Sequence, residues 1–87
     1  MKTCNIYTVT VYTPDKKKKV CNYLEESKAK SRADAMMEKL VVQTASKPET
    51  DAVMLIKGEK KSQVVGLRCG NPVCTAGVIL YEAPLVF

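Results

Sequence analysis

Residues 5–13 read NIYTVTVYT, and their alternation decides how the fold begins. Tyr, Thr and Val suit a pleated, half-buried surface. A period of two puts Tyr7, Val9 and Val11 on one side and Ile6, Thr8, Thr10 and Tyr12 on the other, which predicts a β-strand. Pro14 and Asp15 stop it, Lys16, Lys17, Lys18 and Lys19 form the connection, and residues 20–27 resume strand spacing. A hairpin follows, with Val11 facing Cys21 and Val9 facing Tyr23 so that apolar side chains share one face.

Downstream, Ser31-Arg-Ala-Asp34 has the shape of a capping box with Asp in its last position. The hydroxyl can satisfy an orphan amide while the carboxylate favours the positive helix end. A helix is expected from Ser31. Ala33, Met36, Met37, Leu40, Val41 and Thr44 recur at helical spacing, and this stripe would lie on the sheet. Pro48 closes the segment. Residues 52–57, AVMLIK, are apolar on both faces and read as a central strand. Gly58 to Lys61 make a turn, residues 63–69 return, Gly70 to Pro72 turn again, and residues 75–82 (TAGVILYE) give a fifth strand. The fold class is α+β: an antiparallel sheet of about five strands with one helix on one face, in the order ββαβββ.

Eighty-seven residues make one domain with a thin core, since a chain this short buries roughly 60–65% of its unfolded surface. Residues 1–87 are therefore read as a single α+β domain. The chain is 46% hydrophobic and 26% charged, ordinary values for a globular protein and far from those of disordered chains. The first five residues lack a signal-peptide layout, and the longest apolar run, residues 76–81, is far short of a membrane span. The expectation is a cytoplasmic protein with no membrane association, whose Cys4, Cys21, Cys69 and Cys74 are reduced thiols.

The absence of histidine removes the commonest general base and an important metal ligand. No phosphate-binding glycine loop, nucleophile elbow or recognisable carboxylate pair is present. The chain is expected not to be an enzyme and to need no cofactor or metal. Cys69 and Cys74 flank a turn, and three readings stand for them: small semi-buried hydrophobes, a reversible disulfide, or half of a zinc site.

Fourteen Lys and Arg against nine Asp and Glu give a net charge of +5, which favours acidic partners. Following the chain direction through the strands, the turn after the third strand lies beside the helix start. That gathers Lys57, Lys60 and Lys61 towards Lys28, Lys30 and Arg32, and leaves Lys16, Lys17, Lys18 and Lys19 at the other end with Cys69 and Cys74. These ten residues are the candidate partner-binding set. The lysine run is either a phosphate- or acid-gripping tip or a solvated loop that protects a sheet edge. Tyr12, beside it, is the one aromatic residue nominated for base stacking. Leu85, Val86 and Phe87, which follow Pro84, either pack back on the core or form a homodimer contact.

The hairpin, the Ser-capped helix (SRADAMMEKLVV) and the three-strand meander, all within 87 residues, look like the layout of several small phage-encoded inhibitors, including some anti-CRISPR proteins. The resemblance is one of architecture over the whole chain and transfers no residue role. It implies a non-enzymatic module that occludes a host defence or nucleic-acid-handling complex, its basic patch replacing contacts to a phosphate backbone or holding an acidic protein groove. The alternative is a small basic protein that binds DNA or RNA directly.

Overall fold

The structure, a computed structural model, describes residues 3–86, with their side chains over residues 4–84. In chain order the elements are β1 (Thr3–Tyr12), β2 (Lys18–Tyr23), α1 (Glu26–Ala45), β3 (Ala52–Lys57), β4 (Lys61–Arg68) and β5 (Asn71–Val86). The strands form one sheet in the order β2-β1-β5-β4-β3, with every neighbouring pair antiparallel. The α+β class and the ββαβββ order match the reading of the sequence.

The sheet is stepped. β5 pairs with β1 over residues 77–86 and with β4 over residues 71–79, so it is flanked on both sides only over residues 77–79. Beyond these and Leu80, whose amide still donates to the Lys60 carbonyl at 2.7 Å, one of its edges has no strand beside it, and both its prolines fall there: Pro72 beyond the end of β1, and Pro84 beyond the end of β4. A proline is tolerated in a strand where its missing N–H has no neighbour to serve. The stagger stretches the molecule to 55 × 21 × 17 Å.

Directly opposed residues share a face. The register therefore aligns Tyr7, Val9 and Val11 of β1 with Cys21 and Tyr23 of β2, with Val78 and Leu80 of β5, and through them with Val64 of β4. On this face lies α1, whose Ala29, Met36, Met37, Leu40 and Thr44 are buried. The core consists of the three aliphatic helix positions Met36, Met37 and Leu40 with Ala29, against Val9, Val11, Val64, Ala76 and Val78.

The helix does not begin at Ser31. It starts one and a half turns earlier, with Glu25 as an extended N-cap residue (φ −112°, ψ 128°) that makes no side-chain cap hydrogen bond, and Glu26 in the first turn. Ser31 is an exposed residue inside α1. The buried stripe explains the difference: Ala29 lies four residues before Ala33, and burying it extends the apolar face back by a turn.

The hairpin register also differs from the expected one, by two residues. Val9 faces Cys21, Tyr7 faces Tyr23, and Val11 faces Lys19. The connection is tight: the Lys16 amide donates to the Thr13 carbonyl at 3.0 Å, the Thr13 amide donates to the Lys17 carbonyl at 2.9 Å, and Lys16 is left-handed at φ 65°. This is a type I turn with Pro14 in its favoured second position, followed by a left-handed residue. So short a loop brings Lys18 opposite Tyr12. A two-residue slip preserves which side chains share a face.

β3 is an edge strand, not a central one, and all six of its residues are exposed. β5 takes the central place because it is long enough to serve β1 and β4 at once, which pushes the β3–β4 hairpin outward. The β4–β5 turn consists of Cys69 and Gly70, both left-handed at φ 52° and 81°, between the paired Arg68 and Asn71. It is a two-residue hairpin loop of the type that requires positive φ twice.

Candidate binding surface

One helix covers one face of the sheet, and the other face has no layer over it among the described residues. The register places Ile6, Thr8, Thr10 and Tyr12 of β1 there, with Lys18, Val20 and Asn22 of β2, Ile79 and Tyr81 of β5, Lys61, Gln63 and Val65 of β4, and Met54 and Ile56 of β3. The Thr8 hydroxyl donates to the Asn22 side-chain carbonyl at 2.7 Å across this face. Val20, Tyr12, Tyr81, Met54 and Ile56 are exposed. These exposed apolar side chains are interspersed with polar ones on a sheet face that no other element covers among the described residues.

At the hairpin end, the row across the sheet runs Lys18, Tyr12, Gly77, Gln63, Ile56. Gly77 has no side chain beside the Tyr12 ring, and a hollow of about 430 Å³ opens there, lined by Tyr12, Lys16, Lys61, Gln63, Gly77 and Ile79 among others. The Lys18 ammonium stands 6.0 Å from the Tyr12 ring centroid, within cation–π range. Lys16 and Lys61 thus line the hollow over the glycine floor, and Lys18 stands on the other side of Tyr12.

The structure redistributes the ten expected contact residues. Only Lys16 and Lys17 lie in the hairpin loop; Lys18 and Lys19 belong to β2 and, as consecutive strand residues, point to opposite faces. The run is therefore not a single cationic tip. Lys30 and Lys60 do meet, as expected, lining a hollow of about 140 Å³ with Asp34 and Glu59 and an adjoining one with Glu26, Glu59 and Glu82. This cluster is charge-balanced instead of basic. Lys30 pairs with Glu26 at 2.7 Å and Lys28 with Glu25 at 3.7 Å. The hydrogen bond and charge of Lys30 hold the Glu26 carboxyl below its ordinary value, and Glu26 in turn raises Lys30. Lys57 lies in an adjoining groove that shares Asp34 and Gly58 with the first hollow and adds Leu55 and Glu38, Arg32 is exposed on the helix, and Lys61 belongs to the opposite face.

At the other end, Lys47 after the helix donates to Asp15 in the hairpin loop at 2.7 Å. The hydrogen bond and charge of Lys47 lower the Asp15 carboxyl. This contact ties the loop carrying Lys16 to the helix end. Cys4, Cys21, Cys69 and Cys74 are free. Cys74 lies 3.8 Å from the Thr50 hydroxyl, whereas Cys69 is an exposed turn residue. Among the described residues no group of three or more Cys, Asp or Glu side chains is placed to hold a metal ion. Phe87 and the side chains of Leu85 and Val86 lie outside the described residues, and with them the expected terminal homodimer contact. Among the described residues, no helix is long and apolar enough to cross a membrane.

Sequence reasoning missed Gly77 and the joining of Lys61 to Lys16 and Lys18. Gly77 interrupts the apolar run TAGVILYE, a signal for close approach within a strand. No family model matches the chain, and neither a curated protein nor a solved structure matches it.

Proposed function

We propose that the protein is a non-enzymatic binding module that docks another protein on its uncovered sheet face. The observation that carries this reading is the composition of that face: apolar Tyr12, Val20 and Ile79 adjoin Lys16, Lys18 and Lys61 at the hairpin end, and Tyr81 and Ile6 continue the apolar surface down the strands. An apolar centre with a charged margin is the anatomy of a protein interface, and the lysines select a partner with acidic groups at the matching edge. An occluding inhibitor of a host defence or nucleic-acid-handling complex, of the kind small phage-encoded proteins provide, fits this anatomy, because a rigid sheet face blocks a surface without chemistry of its own.

The test is affinity capture from host extract with the wild-type chain and with a Tyr12→Ala, Lys18→Ser, Lys61→Ser variant. A protein retained by the first and lost by the second supports the reading; equal capture by both, with capture lost on charge reversal of Lys28, Lys30, Arg32 and Lys60, moves the site to the helix start and overturns it.

One observation favours a second reading, direct binding of DNA or RNA. Tyr12 with Lys16, Lys18 and Lys61 around it combines an exposed ring with cations, as stacking platforms for single strands do. Fluorescence anisotropy with labelled single strands checks it: affinity that falls steeply with salt and is lost in Tyr12→Ala supports nucleic acid, and no binding at low salt excludes it.

A further inference from the structure

The sheet's two outer strands are built differently. β2, KKVCNY, carries Lys18 and Lys19, and charged residues, lysine above all, discourage another strand from adding to an edge. The bare outer stretch of β5 beyond β4 contains Glu82 and Pro84, two further protections. β3, AVMLIK, has neither charge nor proline from Ala52 to Ile56. Val53, Met54, Leu55 and Ile56 are each between 38% and 47% exposed. Val53 and Leu55 emerge on the helix side and Met54 and Ile56 on the open side, so an added strand would have apolar neighbours on both faces.

We infer that β3 pairs antiparallel with β3 of a second copy, about a two-fold axis at Met54, to form one continuous ten-stranded sheet. The charges at the ends of the segment favour this occupant. Residues 51–57 read DAVMLIK, with an acid at one end, a base at the other and only apolar residues between. An axis perpendicular to the sheet preserves faces, so one residue must stand opposite itself. With Met54 in that place, Val53 faces Leu55 of the second copy, Ala52 faces Ile56, and Asp51, whose carboxylate also accepts the Cys69 amide of its own chain at 3.0 Å, faces Lys57 at both ends. Parallel pairing in register would instead set Asp51 against Asp51 and Lys57 against Lys57. The outer backbone groups of β3 gain partners in either case, but only the antiparallel arrangement matches the charges.

Beside the strand, Val41, exposed Val42 and Leu55 line a groove of about 650 Å³ between α1 and β3. Seven residues per copy is well below the roughly 20–30 of a standard interface, so the association is concentration-dependent. The assembly also places two open sheet faces side by side, doubling the surface assigned above to the partner.

Sedimentation equilibrium over a range of concentrations tests the pairing. The wild-type chain should pass from monomer to dimer as concentration rises. Met54→Lys should stay monomeric with an unchanged circular dichroism spectrum, because its new charge meets itself across the axis. Mixing Met54→Lys with Met54→Glu should restore a dimer containing one copy of each, a rescue that a folding defect does not produce. In a Cys69→Asn background, Met54→Cys should form an intermolecular disulfide under mild oxidation, since directly opposed antiparallel residues lie about 4.5–5.5 Å apart, within disulfide reach. A wild-type chain that remains monomeric throughout, including one whose β3 captures an unrelated peptide, would overturn the inference. So would a dimer that survives Met54→Lys, or a crosslink through Ala52→Cys and not through Met54→Cys.

Discussion

Gly66 of β4 lies directly beneath Thr44 of α1, so close that a β-carbon added to the glycine would stand 3.0 Å from the Thr44 methyl, 3.0 Å from the Thr50 hydroxyl and 2.5 Å from the Cys74 sulfur. The helix end, the loop after it and β5 converge on this point, and the missing side chain is what lets them meet. Gly66→Ala is expected to cost about 1–3 kcal/mol, the usual range for overpacking, read as a lower urea midpoint at unchanged slope.

The other half of that contact carries a local cost. Thr44 is fully buried, and its hydroxyl has no hydrogen-bond partner. A buried unpaired hydroxyl is unfavourable, and valine has nearly the same shape and a similar helix propensity. Thr44→Val should raise stability by about 1 kcal/mol in the same denaturation experiment. A loss would show that the hydroxyl has a partner in solution.

Ser31→Ala provides the test of where the helix begins. Because Ser31 is an exposed interior position of α1, the change removes no cap, and alanine's better propensity should leave the midpoint unchanged or slightly raised, by up to about 0.5 kcal/mol. A loss of about 1 kcal/mol would instead indicate a cap at this residue.

The Cys69-Gly70 turn holds a cysteine at φ 52°, where asparagine is more at ease. The Cys69 amide donates to the Asp51 carboxylate at 3.0 Å, a bond that replacing the side chain preserves. Cys69→Asn should stabilise the chain by about 0.5–1 kcal/mol, measured by thermal melting.

Asp15 and Glu26 both have carboxyls lowered by a lysine, Lys47 and Lys30 respectively. A folded-state value below the unfolded one gives stability that is fully present above the ordinary carboxylate range and is lost as pH falls through the lowered folded values. Stability should therefore decline on acidification below about pH 4, and the decline should be shallower in Asp15→Asn. Both carboxylates are solvent-exposed, although Lys47 is half-buried, so the effect is small and shrinks with added salt. Identical acid profiles for the wild-type chain and Asp15→Asn at low salt would count against the Asp15–Lys47 link.

The sequence by itself determined the element types and their order, because the period-two alternation of β1 and the recurring apolar stripe of α1 are local patterns set by backbone geometry. It also determined which β1 and β2 side chains share a face, since parity survives a two-residue slip in register. It placed the helix start wrongly at Ser31: Ser31-Arg-Ala-Asp34 satisfies a local rule, and only the burial of Ala29 against the sheet shows that the helix runs back to Glu26. Strand order was beyond reach, because AVMLIK suits a central strand and an unprotected edge equally well until the length of β5 is matched against both β1 and β4. The candidate surface was legible only in pieces. Tyr12 and the lysines could be named, but their grouping depends on long-range pairing: it splits Lys18 from Lys19, sets Lys61 on the face opposite Lys30 and Lys60, surrounds those two with carboxylates, and puts Gly77 beside Tyr12. Residue periodicity is a property of a few neighbouring peptide units, whereas the company a side chain keeps is decided by which distant strands the whole sheet places next to each other.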